Sequence, residues 1–204
     1  MITIINYGLG NIRAFVNVYN QLNIPINIAT HRDDLKTATK VILPGVGAFD
    51  YAMQRLEQSG MRQTLDEIVL HRHVPVLGIC VGMQILACSS EEGRLPGLGW
   101  IDGEVKRFNP PSLSNSICVP HMGWNNIKLL KKNGLLQGFD LDARLYFLHS
   151  YYFQSHRNED IIATTDYCKE FACAVNSGNV FGVQFHPEKS HQWGIRLLEN
   201  FSKV

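Results

Sequence analysis

The chain has 204 residues, with 19 lysines and arginines against 18 aspartates and glutamates, a net charge of +1. At about 100–200 residues per domain this predicts one domain, long enough to bury a core without disulfide or metal staples. The near-zero charge argues against a nucleic-acid binder held by a broad basic face, and the 45% hydrophobic content is that of an ordinary globular protein.

Residues 2–6 are a short β-branched run, followed by the turn Tyr7-Gly8-Leu9-Gly10. Residues 11–22 then carry Ile12, Phe15, Val16, Tyr19 and Leu22 at helical spacing. Strands are expected at 26–30 and 41–43, the second ended by Pro44-Gly45. Residues 49–58 and 61–70 read as helices. Residues 74–79 read as a strand, continuously apolar as in parallel strands buried on both faces, and 82–88 as a helix. This order predicts an α/β fold with a mostly parallel central sheet flanked by helices. The second half changes character. Strand-like runs at 100–108, 124–130, 145–153, 161–165, 171–175 and 180–185 are separated by turn signals such as Asn109-Pro110-Pro111-Ser112, Asn133-Gly134 and Ser177-Gly178-Asn179. They predict an added antiparallel portion. Residues 194–201 read as a closing helix. No repeat, low-complexity stretch or linker interrupts the chain, so one domain over 1–204 is expected.

The start of the chain lacks the basic and apolar segments of a secretory leader. The longest nearly apolar run, 74–88, is broken by Pro75, Gly78, Gly82 and Gln84 and is too short to span a bilayer. The five cysteines, Cys80, Cys88, Cys118, Cys168 and Cys173, are an odd number with no C-x-x-C pair. Neither a disulfide framework nor a zinc site is expected, and a reducing cytoplasm fits.

The strongest local feature is Gly78-Ile79-Cys80-Val81-Gly82, where a buried strand runs into a helix. This is the cysteine form of the nucleophile elbow, in which a sharp turn leaves no room for side chains two positions either side. The helix N-terminus favours negative charge on the sulfur, and the Val81 N–H is free to meet an oxyanion. A free cysteine alone is most often a small buried hydrophobe; both glycines and the strand-to-helix context favour the functional reading. A second feature is His186-Pro187-Glu188. Proline keeps the preceding residue extended, and residues two apart in extended chain share a face. An imidazole and a carboxylate can then serve one site, the histidine exchanging a proton with the cysteine and the carboxylate fixing its tautomer. Alone, the pair would read as surface residues in a loop. A third feature, Pro44-Gly45-Val46-Gly47, leaves backbone N–H groups uncovered at the sheet's carboxyl edge, where they can complete an oxyanion hole. Gly8-x-Gly10 and Gly45-x-Gly47 lack the third glycine of a dinucleotide loop, and no phosphate-loop motif occurs. No cofactor or metal is expected. His71-x-His73 reads as an exposed pair beside a helix end.

Together, Gly-Ile-Cys-Val-Gly-Met-Gln around Cys80, Pro-Gly-Val-Gly and the late His-Pro-Glu resemble the class I glutamine amidotransferases. Asn6-Tyr7-Gly8-Leu9-Gly10-Asn11, Pro120-His121-Met122-Gly123-Trp124-Asn125 and His186-Pro187-Glu188-Lys189-Ser190 extend the likeness to the glutaminase subunits of imidazole glycerol phosphate synthase. The resemblance implies a flavodoxin-like fold and a Cys80–His186–Glu188 triad that hydrolyses glutamine to glutamate and ammonia. It places the oxyanion near Val46, Gly47 and Val81, and the glutamine against Gly45, Gln84, Ser150 and Tyr151. It also implies a (β/α)₈ barrel synthase or cyclase subunit as heterodimeric partner, faced by Asn11, Met122, Trp124, Tyr146 and Lys189. A partner is expected on chemical grounds as well: free ammonia becomes mostly ammonium at neutral pH, and this chain is too short to hold a second acceptor domain. The stretches 108–113 and 191–194 look less typical of the histidine branch. A paralogue feeding ammonia to a surface-polysaccharide sugar amidotransferase, or a non-catalytic assembly subunit, are the alternatives.

Overall fold

The computed structural model describes residues 1–109, 119–140 and 142–204. The turn expected from Pro110 to Ser112 and the cysteine at 118 lie outside the described residues.

The first half alternates strand and helix. β1 (Ile2–Ile5) leads to α1 (Ile12–Gln21), whose start is capped by Asn11 accepting the Ala14 N–H at 3.2 Å. β2 (Ile26–Ala29), β3 (Lys40–Gly45), α2 (Phe49–Gln58) and α3 (Arg62–Asp66) follow, and α3 runs on as a π-helical turn over Glu67–His71. β4 (Val76–Cys80) and α4 (Val81–Gln84) close this half. Pro44 and Gly45 do not end the third strand as expected. They extend it, because β3 continues pairing with β4 through Pro44–Ile79 and Gly45–Cys80.

The second half holds β5 (Ser89–Ser90), β6 (Gly103–Arg107), β7 (His121–Asn126), β8 (Lys128–Leu129), β9 (Arg144–His149), β10 (Tyr151–Ser155), β11 (Ile161–Asp166), β12 (Glu170–Ser177), β13 (Val180–Val183) and α5 (His191–Lys203). The main sheet has the order β2-β1-β3-β4-β13-β12-β10-β6-β5, with β11 pairing β12 and β8. β2, β1, β3, β4 and β13 are parallel, and β13, β12, β10 and β6 are antiparallel. The parallel part has the flavodoxin-like order, reversing direction at β1 and β3. Right-handed crossovers in opposite directions put α1 and α2 on opposite faces. The run read as one strand over 145–153 is two strands in different sheets. β9 pairs β7 in a separate two-stranded sheet, while β10 pairs β6 and β12 in the main one.

The buried strands β1, β3 and β4 carry Ile4, Ile5, Val41, Ile42, Leu43, Val76 and Leu77, all fully excluded from water. α5 packs beside α1, where the buried Tyr19 hydroxyl donates to the Leu198 carbonyl at 3.1 Å. Among the described residues no helix is long and apolar enough to cross a membrane.

α5 also tests the packing at the site's edge. A glycine inside a helix is ordinarily improved by alanine, by up to about 1 kcal/mol. At Gly194 a β-carbon would lie 1.8 Å from the Pro187 carbonyl oxygen. The overpacking should win, so Gly194→Ala is expected to lower stability by about 1–3 kcal/mol in chemical denaturation. A stabilised variant would disprove the close approach.

Candidate active site

Three parallel strands end together at the sheet's carboxyl edge, the usual ligand edge of an open α/β sheet. Gly45 of β3 stands beside Cys80 of β4, and Val183 of β13 stands beside Ile79. Cys80, the glycine loop and the segment after Val183 are therefore level with one another.

Cys80 joins β4 to α4 with φ +56° and ψ −114°. An L-residue holds such backbone only where its surroundings impose it. A β-carbon at Gly78 would lie 2.5 Å from the Gly82 carbonyl oxygen, and one at Gly82 1.9 Å from the Leu43 carbonyl oxygen. The turn closes too tightly for any side chain at 78 or 82, as the elbow motif requires. α4 is shorter than the helix expected over 82–88. After Gln84 the Leu86 and Ala87 N–H groups bond three residues back, to Met83 and Gln84. One turn aligns few peptide dipoles, so the histidine beside it is the group that can take up the thiol proton.

That histidine is His186. Its Nδ1 lies 2.8 Å from Glu188 Oε1, and both side chains are 4% exposed. Burial disfavours the charged imidazole, but hydrogen bonds and charge from Cys80 and Glu188 outweigh it and hold His186 above the ordinary histidine value. The backbone around it is tied on three sides. The His186 N–H donates to the Tyr146 carbonyl at 2.8 Å, the Ser190 hydroxyl donates to the His186 carbonyl at 2.6 Å, and the Tyr146 N–H donates to Ser190 Oγ at 3.0 Å.

Cys80 and His186 open on a pocket of 320 Å³. Val46, Gly47, Val81, Gln84, Ser150 and Tyr151 line it with them, as does Lys189. Gly47 has φ +96° with open space around its missing side chain, and Val81 opens α4, where an N–H has no intrahelical acceptor. Gly45 lies beneath this surface, its β-carbon direction ending 2.4 Å from the Gly82 nitrogen. Glu188 stands behind His186. A wider cleft of 610 Å³ between Leu129 and Phe139 holds no cysteine, histidine or carboxylate, so its size carries no chemistry. His71 and His73 are exposed, and among the described residues no cluster of three histidines, cysteines or carboxylates could hold a metal ion.

Met122, Trp124, Tyr146 and Lys189 form one outer patch. Met122 is 66% and Trp124 39% exposed. Trp124 meets the Tyr146 ring edge-on at 5.8 Å and stacks on His191 at 5.0 Å, while the Lys189 ammonium sits 5.4 Å over Tyr146. Leu148, paired across from Met122, extends the patch. Asn11 caps α1, its side chain accepting the Ala14 N–H.

Sequence reasoning missed Glu92, the pocket's one carboxylate. Its Oε2 accepts the Phe49 N–H at 2.8 Å. Asp50 accepts the Arg94 N–H at 2.9 Å and the Leu95 N–H at 3.0 Å, which pins the loop carrying Glu92 to the start of α2. Burial and the Asp50 charge raise the Glu92 carboxyl, against the Phe49 hydrogen bond. The only signal in the sequence was an acidic pair, Glu91-Glu92, about ten residues past the elbow.

A buried histidine pair backs the pocket. His149 Nδ1 lies 2.8 Å from the Tyr151 carbonyl, and His149 Nε2 lies 3.1 Å from His121 Nδ1. His121 is sandwiched between Phe147 at 4.6 Å and Tyr167 at 4.0 Å. Burial pushes His149 down to about 3 and His121 down to about 4.

The class I glutamine amidotransferase family model matches residues 3–204. The chain is 56% identical to the imidazole glycerol phosphate synthase subunit HisH of Bdellovibrio bacteriovorus, over the whole of both chains. It is 50% identical to the HisH subunit of Leptospira interrogans, again over the whole of both. Among solved structures, a glutamine amidotransferase matches with a TM-score of 0.73 at 17% identity, covering 98% of each chain. PurLQS of Thermotoga maritima matches with a TM-score of 0.73 at 17% identity, covering 99% of this chain and 97% of that one. Those two likenesses establish the fold. The chain belongs to the class I glutamine amidotransferases and, within them, to the family of the HisH subunits.

The histidine pair has a pH signature. A histidine held neutral when folded but charged when unfolded removes stability as pH falls below its unfolded value near 6.5. With both folded values lowered, to about 3 and about 4, the loss runs from about pH 6.5 down towards those values. His186, raised when folded, works the other way: it adds stability as pH falls from about 7 to about 6, offsets a minor part of the loss, and adds no slope well below about pH 6.5, where it is charged in both states. Denaturation should give a stability about 3 kcal/mol lower at about pH 5 than at about pH 7. Imidazole signals from His121 and His149 in the folded protein that titrate between about pH 5 and about pH 7 would contradict the assignment.

Proposed function

We propose that this enzyme hydrolyses glutamine at Cys80 and hands the ammonia to a (β/α)₈ barrel synthase or cyclase subunit that makes imidazole glycerol phosphate in histidine biosynthesis. A single class I glutamine amidotransferase domain over 1–204 carries this half of the reaction. The observation that carries the reading is Cys80, strained at a strand–helix elbow and open to the same pocket as His186, itself bonded to Glu188 at 2.8 Å.

His186 takes the thiol proton through Nε2 while Glu188 holds Nδ1–H. The thiolate attacks the side-chain amide carbon of glutamine. Backbone N–H groups of Val46, Gly47 and Val81 meet the oxyanion. His186 then protonates the departing ammonia and activates the water that cleaves the thioester. Gln84, Ser150 and Tyr151 hold the substrate, with Gly45 beneath them, and Glu92 receives its α-ammonium, since a cation entering this pocket needs a carboxylate partner. The exposed patch of Met122, Trp124, Tyr146 and Lys189, with Asn11, faces the partner. Met122 and Trp124 are large apolar side chains left open beside the pocket mouth, as expected of an interaction site.

Cys80→Ala should abolish glutamine-dependent synthesis by the assembled complex, by about 10⁴-fold or more, and leave ammonium-dependent synthesis intact. Undiminished glutamine use by that variant would sink the assignment. Glu92→Gln should raise KM for glutamine about ten- to a hundredfold with a smaller change in kcat. Trp124→Ala should weaken the complex by about 2 kcal/mol or more, measured by titration calorimetry; unchanged affinity would move the interface elsewhere.

A further inference from the structure

We propose that Gln184 is a positioning residue of this site, its buried amide donating an N–H to the Cys80 sulfur. The proposal rests on Cys80 being the nucleophile. Gln184 follows β13 directly, one residue past the Val183–Ile79 pair, and so stands level with Cys80. Its backbone N–H donates to the Cys173 carbonyl at 2.9 Å, and the residue is wholly buried. Its Nε2 lies 3.8 Å from Cys80 Sγ, within reach of a sulfur acceptor.

A side-chain amide is useful here only if its nitrogen end faces the sulfur, and the neighbours fix that choice. Gln184 Oε1 accepts from Gln84 Nε2 at 3.1 Å. Gln84 cannot be turned round, because the same Nε2 also donates to the Tyr151 carbonyl at 3.0 Å, and a carbonyl only accepts. The Tyr151 carbonyl is held in turn by His149 Nδ1–H at 2.8 Å. His149 Nε2 is then an acceptor, so His121 Nδ1 carries the proton between the rings. The outer nitrogen of His121 faces Asn125 Nδ2 at 3.4 Å, a group that also donates to the Asp166 carbonyl at 2.8 Å. Two buried arms meet at Tyr151 O, and each has one consistent donor direction.

The sulfur has an opposing contact. The Leu148 carbonyl oxygen lies 3.9 Å from Sγ and accepts from the thiol. Once the proton has moved to His186, that oxygen faces a negative sulfur and repels it. The Gln184 N–H offsets the repulsion and holds the thiolate in line, since hydrogen bonds to charged groups are the stronger kind. Gln184 does not line the substrate pocket, and Gln84, which does, keeps its bond to the Tyr151 carbonyl when Gln184 is changed, so the loss should appear mainly in kcat with little change in KM.

The test compares wild type with Gln184→Met and Gln184→Glu, each assembled with the synthase partner and checked by thermal melting. Gln184→Met, similar in length but without a donor, should lower kcat for glutamine hydrolysis about ten- to a hundredfold with KM within about twofold. Alkylation of Cys80 by iodoacetamide should slow in parallel. Gln184→Glu, which sets a carboxylate against the sulfur, should be slower still. A folded Gln184→Met with wild-type kcat overturns the proposal. Wild type that neither hydrolyses glutamine nor reacts at Cys80 with a glutamine-mimicking chloroketone overturns the underlying reading instead. Should both variants fail to fold, ¹⁵N spectra of wild type decide. The Gln184 side-chain NH₂ signals should be slow to exchange and should shift when Cys80 is carbamidomethylated; fast-exchanging, unresponsive signals refute the bond.

Discussion

The structure depends on a backbone contact that no side chain could survive. At the carboxyl edge of the sheet the elbow around Cys80 is pressed against the end of β3. β-Carbons at Gly45, Gly78 and Gly82 would meet backbone atoms at 2.4, 2.5 and 1.9 Å. This closeness holds Cys80 in left-handed backbone and brings the glycine loop beside the sulfur. Strain of this kind costs about 1–3 kcal/mol and persists only where the surroundings over-determine it. Here they do, because β4 is buried along its whole length between two parallel neighbours.

β13 completes what the elbow begins. It enters the sheet beside β4 as the last parallel strand, although more than ninety residues separate the two in sequence, about half the chain. The antiparallel portion is the detour between them. It returns the chain in register, so that the amide, the imidazole and the carboxylate at 184, 186 and 188 follow within a few residues. It also builds the pocket's other wall from the corner between β9 and β10.

The sequence was legible where chemistry is local. The elbow glycines, the strand-then-helix order and the spacing of His186 and Glu188 all act within a few residues, so motif and periodicity expose them. The corner at Ser150 was not legible. Phe147 and Tyr151 on either side of it are both good strand formers, and only pairing with different partners divides the run. Glu92 and Gln184 were missed for a related reason. Each acquires its setting from residues far away, Phe49 for one and Gln84 with Cys80 for the other. α4 was overestimated because the apolar pattern persists after the helix stops. Leu86 and Ala87 stay buried while the chain turns to tighter bonds.

Tyr146 occupies an unusual place in this arrangement. Its ring lies in the outer patch with Trp124 and Lys189. Its carbonyl accepts the His186 N–H, and its own N–H is held by Ser190, which also holds the His186 carbonyl. The outer patch and the backbone of His186 are therefore joined through the main-chain groups of one residue, Tyr146. One direct hydrogen bond and one bridge through the Ser190 hydroxyl make the connection. A molecule seated on that ring and the imidazole behind it would behave as two ends of one short lever. If the patch is where a partner docks and His186 is the base, docking strength and base placement, normally separable properties of an enzyme subunit, would be set by the same few atoms.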